Sequence, residues 1–336
     1  MTTRELLRVD DLVVGTRGRD GEVRIVDGVS FSVGEGEVLC LVGESGSGKS
    51  LTMAAVLGLL PAGVEVLGGS VSYRGRDLLG MPERELRALR GDELAMVFQD
   101  PMTALNPVKR VGAQIARAVR LHGERRSADQ VDERVEELLR SVGVSDPAER
   151  ARAYPHQWSG GMRQRAVIAM AIAHDPRLLV ADEPTTALDV TIQAQIMELL
   201  ADARRRSGAA MVLITHDLGL VAQTADEICI MYSGRIVERG SVWDIFDRPR
   251  HPYTAGLLAS LLAVDRRSGR AYAIPGSPPA PAGRPQGCAF APRCELAAKS
   301  EECIGTQPGL VPLADGHAAA CHHVDSVGEF ARAVAS

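Results

Sequence analysis

The sequence predicts an α/β fold, and the order of apolar runs and loops along the chain supports this prediction. The apolar run Val38–Val42 reads as a buried strand, and a helix is predicted over Leu51–Leu60. Strands are also predicted over Leu178–Ala181 and Met211–Ile214, with a helix over Ile192–Arg206 between them. This alternation predicts a sheet covered by helices.

The first buried strand leads into a glycine-rich loop, Gly43-Glu44-Ser45-Gly46-Ser47-Gly48-Lys49-Ser50. Gly46 and Gly48 allow a tight backbone path that directs successive amides at phosphate groups, and the next helix adds its positive N-terminal end. Lys49 is expected to bind the β and γ phosphates of a nucleotide, and Ser50 to ligate Mg²⁺. An ordinary Gly/Ser loop is the alternative, but the strand before it and the helix after it favour phosphate binding.

The middle of the chain is helical in pattern. Apolar residues recur at helical spacing after Ser127-Ala128-Asp129-Gln130, which reads as a capping box, and residues 108–152 as a whole are predicted to be helical. Another helix is predicted over Met162–Ala173 and a strand over Val23–Val33. The charged face of the capped helix is interpreted as a solvated surface rather than a ligand site.

An acidic pair follows the predicted strand Leu178–Ala181. Asp182 closes that strand, where its carboxylate can hold Mg²⁺ beside phosphates, and Glu183 is a candidate general base for an attacking water. An acidic pair before Pro184 could instead cap a helix. The order and spacing relative to the glycine loop favour the catalytic interpretation.

The ordered set of motifs resembles the ATP-binding cassette (ABC) family. Its most specific member is Ser159-Gly160-Gly161-Met162-Arg163-Gln164-Arg165, which lies between the glycine loop and the acidic pair. The resemblance implies that Ser159, Gly160 and Gly161 grip the γ-phosphate bound to a partner subunit, so that ATP closes a dimer and product release opens it.

Single polar residues add to this resemblance. Gln99, in Val97-Phe98-Gln99-Asp100-Pro101, matches the Q-loop, which senses Mg²⁺ and the attacking water and contacts membrane subunits. His216 matches the switch histidine, which contacts the γ-phosphate. Asp189, in Ala187-Leu188-Asp189, matches the D-loop and is expected at the dimer interface. Taken alone, a Gln before a turn or a His after a strand is more often structural.

The resemblance also implies a domain organisation. The expected fold is a P-loop NTPase of the ABC type: a RecA-like core with an antiparallel β subdomain and a helical subdomain at about 100–158. The nucleotide-binding domain is predicted over 1–262. Residues 263–336 are predicted as a separate C-terminal domain, because composition changes near residue 263 and Pro275–Pro285 cannot form a helix and is expected to be extended.

Several stretches resemble the oligopeptide/dipeptide importer branch of this family. They are Val97–Pro107, Tyr154–Arg165, Ala181–Asp189, His251-Pro252-Tyr253-Thr254 and Ile274-Pro275-Gly276-Ser277-Pro278-Pro279. The resemblance implies an ATPase that powers import, with two membrane permease subunits, a related or identical second ATPase subunit and an extracytoplasmic substrate-binding protein as partners. Relatives of this type also move nickel chelates, glutathione and certain oligosaccharides, so the substrate stays open.

Four cysteines lie in the C-terminal segment: Cys288, Cys294, Cys303 and Cys321, spaced C-x5-C-x8-C-x17-C. Four thiolates suit a [4Fe–4S] cluster or zinc, although the close C-x2-C pairs of structural zinc sites are missing. Some related importers are reported to hold an iron–sulfur cluster here, and unliganded thiols are the third interpretation. His317, His322 and His323 flank Cys321 and could substitute as ligands or simply lie at the surface. Cys40 and Cys229 lie in apolar runs and are predicted core residues.

Composition narrows the function classes. The net charge is -5 and the pI near 5.9, which disfavours a nucleic-acid partner. The start of the chain has no apolar core typical of a signal peptide, and no apolar run reaches the length of a membrane helix. The expected location is therefore the cytoplasmic face of the cell membrane, through docking on other chains. ABC ATPases of repair or translation and a non-catalytic regulatory subunit are the alternatives.

One departure from the family concerns the adenine base. The family usually offers an aromatic ring before its first long strand, but 12–21 contains no Phe, Tyr or Trp. Thr16 occupies the place of the ring, and Arg17 or Arg19 is the candidate for stacking instead. Base selectivity is therefore the least specified part of the predicted site.

Overall fold

The computed structural model describes residues 4–18, 21–122, 126–186, 188–265, 272–313 and 316–335. In chain order, the strands are β1 (Glu5–Gly18), β2 (Gly21–Gly34), β3 (Val38–Val42), β4 (Glu65–Tyr73), β5 (Arg76–Asp77), β6 (Leu94–Val97), β7 (Leu178–Asp182), β8 (Ala210–Thr215), β9 (Glu227–Tyr232), β10 (Arg235–Ser241), β11 (Val311–Pro312) and β12 (Ala318–Ala319).

The helices interleave with these strands. They are α1 (Lys49–Val56), α2 (Glu83–Leu89), α3 (Pro101–Ala104), α4 (Val111–Leu121), α5 (Ala128–Ser141), α6 (Pro147–Arg152), α7 (Gly160–Ala171), α8 (Val190–Ser207), α9 (Leu218–Thr224), α10 (Val242–Asp247), α11 (Pro252–Asp265), α12 (Glu301–Gly305) and α13 (Val327–Ala335).

The chain forms two compact units that are discontinuous in sequence. The first contains the start of β1, Val33–Glu37 and Gly80–Ile214. The second contains Leu7–Ser32, Val38–Leu79 and Thr215–Ser336. The C-terminal segment therefore belongs to the same unit as the glycine-rich loop.

The first unit is built on parallel strands, with β7 paired to β6 on one side and to β8 on the other. Every residue of β7 is buried, as expected for a central parallel strand covered by helices on both faces. Helices α4, α5, α6 and α7 pack together in this unit. Because β6 and β7 are parallel, the residues that follow them, Gln99 and Glu183, emerge at the same edge.

The second unit contains two groups of strands. The antiparallel group has the order β2-β1-β4-β5, and the other runs β3-β9-β10-β12-β11. Strands β3 and β9 are parallel, whereas β10 is antiparallel to both β9 and β12. All five residues of β3 are buried, which anchors the start of the glycine loop in the core.

The predicted helical region of 108–152 is confirmed as α4, α5 and α6, and the predicted capping box is present at the start of α5. Helix α1 ends at Val56 instead of the predicted Leu60. Gly58, just after the Leu57 C-cap, adopts a positive φ of 63°, which ends the helix before Pro61 can. Helix α7 starts two residues earlier than predicted.

The proline-rich stretch Pro275–Pro285 contains one turn of 3₁₀ helix at Pro281–Gly283, so the prediction that it is extended throughout is wrong at that turn. Pro281 lies at the first position of the turn, where proline's fixed φ is compatible with a helical start. Across the described part of the chain, every helix is too short or too polar to cross a membrane.

Candidate functional site

The glycine-rich loop connects β3 to α1 along a backbone path that side chains would obstruct. Gly43, Gly46 and Gly48 have φ values of 156°, 79° and 103°. A Cβ at Gly43 would lie 2.1 Å from the carbonyl oxygen of Met231, so only glycine fits there. The path places Lys49 at the first position of α1.

Lys49 is folded back into its own loop. Its Nζ donates hydrogen bonds to the carbonyl oxygens of Gly43 at 2.7 Å and Glu44 at 2.9 Å, and it is 4% exposed. Ser45, Gly46 and Ser50 are exposed on the same loop. No acidic residue lies in the first turn of α1, so no side-chain charge there opposes an anion at the helix start.

The acidic pair ends β7 in the first unit. Asp182 is the last residue of the strand and is 5% exposed, whereas Glu183 leaves the strand with a φ of 43°. The Glu183 amide still donates to the Ile214 carbonyl oxygen at 2.9 Å. The left-handed conformation is uncommon outside glycine, and it turns the chain sharply at the end of β7.

The structure brings Gln99 and Glu183 together. The Gln99 amide nitrogen donates to Glu183 Oε2 at 2.9 Å, and the Thr186 hydroxyl donates to the same oxygen at 2.9 Å. These residues are 84 and 3 positions apart from Glu183 in the sequence. Two donors fix the orientation of the carboxylate, which is the geometry expected of a positioned general base.

The S-G-G motif starts helix α7 in the same unit. Ser159 is the N-cap, and its Oγ accepts a hydrogen bond from the Met162 amide at 3.3 Å. Ser159 and Gly160 are exposed, which leaves this helix start accessible to a ligand. A Cβ at Gly161 would lie 2.8 Å from Ile192 Cγ2, so glycine lets α7 approach α8 closely.

Two further predicted site residues lie at or beside helix N-caps. Asp189 is the exposed N-cap of α8, and its carboxylate accepts from the Ile192 amide at 3.0 Å. The neighbouring Ala187 of the predicted D-loop lies outside the described residues. In the second unit, His216 is exposed directly after β8, and the next residue, Asp217, caps α9.

Arg293, which no sequence motif marks, is ion-paired with Glu44 of the glycine loop at 2.9 Å. The Glu44 amide also donates to the hydroxyl of Tyr253 at 2.8 Å. Burial, followed by the charge of Glu44, raises the pKa of the Tyr253 hydroxyl, so that group stays neutral. The sequence feature that could have pointed to Arg293 is a charged residue within an apolar, proline-containing segment, next to Cys294.

The four C-terminal cysteines lie in one region without forming a metal site. The Cys288 amide donates to the Cys303 carbonyl oxygen at 2.8 Å, and burial raises the pKa of the Cys321 thiol to about 12. In the part of the chain that the structure describes, no group of three or more His, Cys, Asp or Glu side chains is placed to hold a metal ion. The predicted iron–sulfur ligand set of Cys288, Cys294, Cys303 and Cys321 is therefore not supported by this geometry.

The three flanking histidines have other partners. His317 is 4% exposed and contacts Glu238 at 2.7 Å, so it is not the surface histidine considered from the sequence. His322 contacts the Thr306 carbonyl oxygen and His323 contacts Ser300, each at 2.9 Å. Cys40 and Cys229, predicted as core residues, are both 0% exposed, which confirms that prediction.

Arg17, one of the two candidates for adenine stacking, lies near the end of β1. Arg17 lies 3.6 Å from a carboxylate oxygen of Glu65 and 3.8 Å from one of Glu22, so acidic neighbours hold its guanidinium. Arg19 lies outside the described residues. Arg17 and Arg19 therefore stay predicted candidates for stacking on the adenine base.

Comparison with protein families and curated proteins gives two family matches and relatives along nearly the whole chain. The profile of ABC transporters matches residues 26–186, and that of the C-terminal region of oligopeptide/dipeptide transporters matches residues 237–303. A "Probable peptide ABC transporter ATP-binding protein y4tR" of Sinorhizobium fredii is 50% identical over 326 residues, covering 96% of each chain. The "Dipeptide transport ATP-binding protein DppD" of Escherichia coli is 48% identical over 325 residues, covering 96% of this chain and 98% of the relative.

A third relative is longer. The "Oligopeptide transport ATP-binding protein OppD" of Mycobacterium tuberculosis is 50% identical over 323 residues, which are 96% of this chain but 52% of the relative. Among solved structures, the dimeric structure of MJ0796, a bacterial ABC transporter cassette, aligns with a TM-score of 0.63 at 25% identity. That alignment covers 70% of this chain and 99% of the other.

Proposed function

Because the chain belongs to the ATP-binding subunits of ABC transporters, we propose that it hydrolyses ATP to drive import of dipeptides or oligopeptides. The observation that carries this proposal is the similarity over 96% of the chain to a dipeptide transport ATP-binding protein. The match to the oligopeptide/dipeptide C-terminal region lies outside the ATP-binding motifs and supports the same branch. The alternative is that the same ATPase drives import of nickel chelates, glutathione or oligosaccharides, since other subunits select the substrate.

The proposed nucleotide site begins at the glycine loop. Lys49 would move from the carbonyl oxygens of Gly43 and Glu44 to the β and γ phosphates, and the amides of 45–50 would bind phosphate oxygens. Ser50, Gln99 and Asp182 are the proposed Mg²⁺ ligands. Mg²⁺ at phosphate sites takes one or two carboxylates plus phosphate oxygens, so this small donor set fits the ion. When bound, Mg²⁺ neutralises charge on the phosphates.

Glu183 is the proposed general base. Gln99 and Thr186 hold one of its carboxylate oxygens by hydrogen bonds at 2.9 Å, and in the proposed reaction the carboxylate would accept a proton from the water that attacks the γ-phosphate. His216 would contact the γ-phosphate after β8. Because the proposed base acts on the attacking water and not on the bound phosphates, its removal should impair hydrolysis more than ATP binding.

A second ATPase subunit, identical or related, would complete the site. Ser159, Gly160 and Gly161 would bind the γ-phosphate held by that partner, and Asp189 would lie at the dimer interface. The dimeric MJ0796 cassette supports this arrangement for the fold. Two permease subunits and an extracytoplasmic binding protein are the other proposed partners, which would place the chain at the cytoplasmic face of the membrane. Nucleic acid is not among the proposed partners.

We also propose that residues 1–262 act as the nucleotide-binding domain and 263–336 as the C-terminal domain of the transporter branch. The iron–sulfur hypothesis for the four cysteines stays a prediction. It is supported by the four thiols in one segment and opposed by their described arrangement, which holds no metal site. Iron and acid-labile sulfide analysis of protein purified without oxygen would decide it.

The decisive experiment replaces Glu183 by Gln in the cell that makes this protein and in the purified chain. We expect ATP binding to persist while ATP hydrolysis falls by about a hundredfold or more, since a positioned base contributes roughly 10²–10⁴ to the rate. Uptake of a labelled dipeptide should fall with it. Glu133→Gln, at an exposed position of α5, is the matched control and should leave both unchanged.

The outcomes separate the two parts of the proposal. Unchanged hydrolysis in Glu183→Gln would refute the role of this residue. Lost hydrolysis with unchanged peptide uptake, measured with other peptide importers deleted, would refute the peptide substrate and keep the ATPase. Labelled nickel chelate, glutathione and oligosaccharide would then be tested in the same strain.

A further inference from the structure

The C-terminal segment reaches the phosphate-binding loop through one buried arginine. Arg293 is 7% exposed, and its two terminal nitrogens donate to the two carboxylate oxygens of Glu44 at 2.9 and 3.1 Å. Such a paired geometry is the strongest form of the arginine–carboxylate contact. The two residues are 249 positions apart in the sequence.

Arg293 is held in place by several protein contacts besides the one with Glu44. Its Nε donates to the Pro275 carbonyl oxygen at 2.8 Å, and Nη1 lies 3.3 Å from the Tyr232 hydroxyl. The guanidinium carbon lies 5.7 Å from the centre of the Tyr232 ring and 5.9 Å from that of Phe290. These contacts restrict the side chain to one position, so little entropy is lost when it binds Glu44.

Glu44 is bound through its backbone as well. Its amide donates to the Tyr253 hydroxyl at 2.8 Å, and its carbonyl oxygen accepts from Lys49 Nζ at 2.9 Å. The Lys49 contact must break when the lysine moves to a phosphate. The contacts to Arg293 and Tyr253 can persist, because neither uses a group assigned to phosphate binding.

The charges explain why this contact matters for a nucleotide. Glu44 places a carboxylate in a loop whose proposed ligand is a highly charged anion, and like charges at short range disfavour binding. Arg293 neutralises that carboxylate. Without Arg293, a partly buried carboxylate would lack its main counter-charge beside the phosphates, and the loop would lose a tether.

We propose that Arg293 is a positioning residue for nucleotide binding, acting through Glu44 to hold and neutralise the phosphate loop. The C-terminal segment thereby sets the affinity for ATP. This inference rests on the proposed ATPase function. It predicts that the loss of ATP affinity on removing the Arg293 guanidinium depends on the charge of Glu44.

The test is a double-mutant cycle on the full chain, with affinity for Mg²⁺–ATP measured by calorimetric titration. Arg293→Met should weaken binding about tenfold, the size expected for one uncompensated charge nearby. Arg293→Lys, which keeps the charge without the paired geometry, should recover part of it. Glu44→Gln removes both the carboxylate charge and the ion pair and serves as the reference background, in which Arg293→Met should add less than about a twofold loss. Arg332→Met, an exposed arginine of α13, is the matched control.

The results discriminate between explanations. If Arg293→Met weakens binding equally in the wild-type and in the Glu44→Gln background, the arginine acts only through the fold of the C-terminal segment and the inference is wrong. Unchanged affinity in Arg293→Met also overturns it. If wild-type protein with a normal melting curve binds no Mg²⁺–ATP, the proposed function fails instead. Raising the salt concentration should shrink the Arg293→Met effect only while Glu44 is present.

Discussion

At the scale of single residues, the phosphate loop depends on a close approach between two backbones. The position where Gly43 would carry a Cβ is 2.1 Å from the Met231 carbonyl oxygen, and its φ is 156°. A backbone carbonyl cannot move aside as the end of a flexible side chain can. The glycine therefore fixes where the loop leaves β3, and hence where Lys49 is presented.

We predict that Gly43→Ala destabilises the protein and abolishes nucleotide binding. Strain in the left-handed region together with a backbone clash costs about 2 kcal/mol or more, which should lower the melting temperature by roughly 5 °C. Differential scanning calorimetry and an ATP titration measure the two effects. Gly309→Ala is the control, because no heavy atom lies within 4 Å of its added Cβ. Equal melting temperatures for the two variants would contradict the clash.

Local sequence motifs identify some candidate residues of the functional site but not those that depend on the tertiary fold. Lys49, Asp182 and Glu183 can be proposed as site residues from the sequence because their immediate neighbours mark them: a glycine loop for Lys49 and a strand end for the acidic pair. Arg293 cannot be, because its role depends on Glu44, which only the tertiary fold brings near. The Gln99–Glu183 hydrogen bond was likewise not foreseen as a direct contact, although both residues were assigned to the site.

At the scale of elements, helix α5 shows how a local signal sets a boundary. Ser127 Oγ accepts from the Gln130 amide at 3.3 Å, and the Gln130 side chain accepts from the Ser127 amide at 2.9 Å. The buried face of the helix is formed by Val131, Val135, Leu138 and Leu139. The cap satisfies amides that the helix itself leaves unpaired.

Ser127→Ala should therefore destabilise α5 by about 1 kcal/mol without touching the nucleotide loop. Hydrogen exchange of the α5 amides should speed up, while ATP affinity stays at the wild-type value. Asp129→Ala, in the first turn of the same helix, loses a favourable charge without losing the cap and should cost less. An equal effect of the two substitutions would show that helix charge, and not the reciprocal cap, holds this end.

Several strands that are continuous apolar runs can be predicted from the sequence, whereas a strand with an interrupted period is harder to recognise. Strands β3, β7 and β8 are continuous apolar runs, so their pattern is simple. Strand β1 changes register between Asp10 and Val13, and Asp11 has a φ of 46°. This bulge breaks the two-residue alternation that marks a strand. The sequence pattern alone therefore gave no prediction of β1, although the family resemblance implied an antiparallel sheet.

At the scale of the whole molecule, contacts join segments that are far apart in the sequence. Asp27 of β2 is paired with Arg284 of the C-terminal segment at 2.8 Å and also with Arg235 of β10. Despite its burial, which raises the pKa, these two arginines hold the pKa of the Asp27 carboxyl below its usual value. A composition change near residue 263 could mark a boundary but could not show that the last segment shares a unit with the glycine loop.

The buried side chain of His251 makes the stability of the fold depend on pH. It is 1% exposed at the start of α11, and its Nδ1 accepts a hydrogen bond from the Tyr253 amide at 3.1 Å. Its own amide donates to the buried carboxylate of Glu238 at 3.0 Å. Burial lowers the pKa of His251 from 6.5 to about 3, so the folded protein keeps the ring neutral.

The sign of the pH dependence follows from this lowered pKa. Below pH 6.5 the unfolded chain binds a proton at His251 that the folded chain does not, so stability is lost as pH falls from 6.5 toward 3 and is unaffected by this group above 6.5. The loss approaches about 1.4 kcal/mol per pH unit.

An Asn side chain can accept the hydrogen bond from the Tyr253 amide without titrating. We therefore expect His251→Asn to be less stable at pH 7, where it loses ring packing, but to lose less stability than wild type between pH 7 and 5. Urea unfolding at both pH values measures this, with the exposed His156→Asn as control. If His251→Asn loses as much free energy of unfolding between pH 7 and 5 as the wild type does, other groups titrate in this range. The buried ring at the start of α11 would then not determine the stability of the fold in acid.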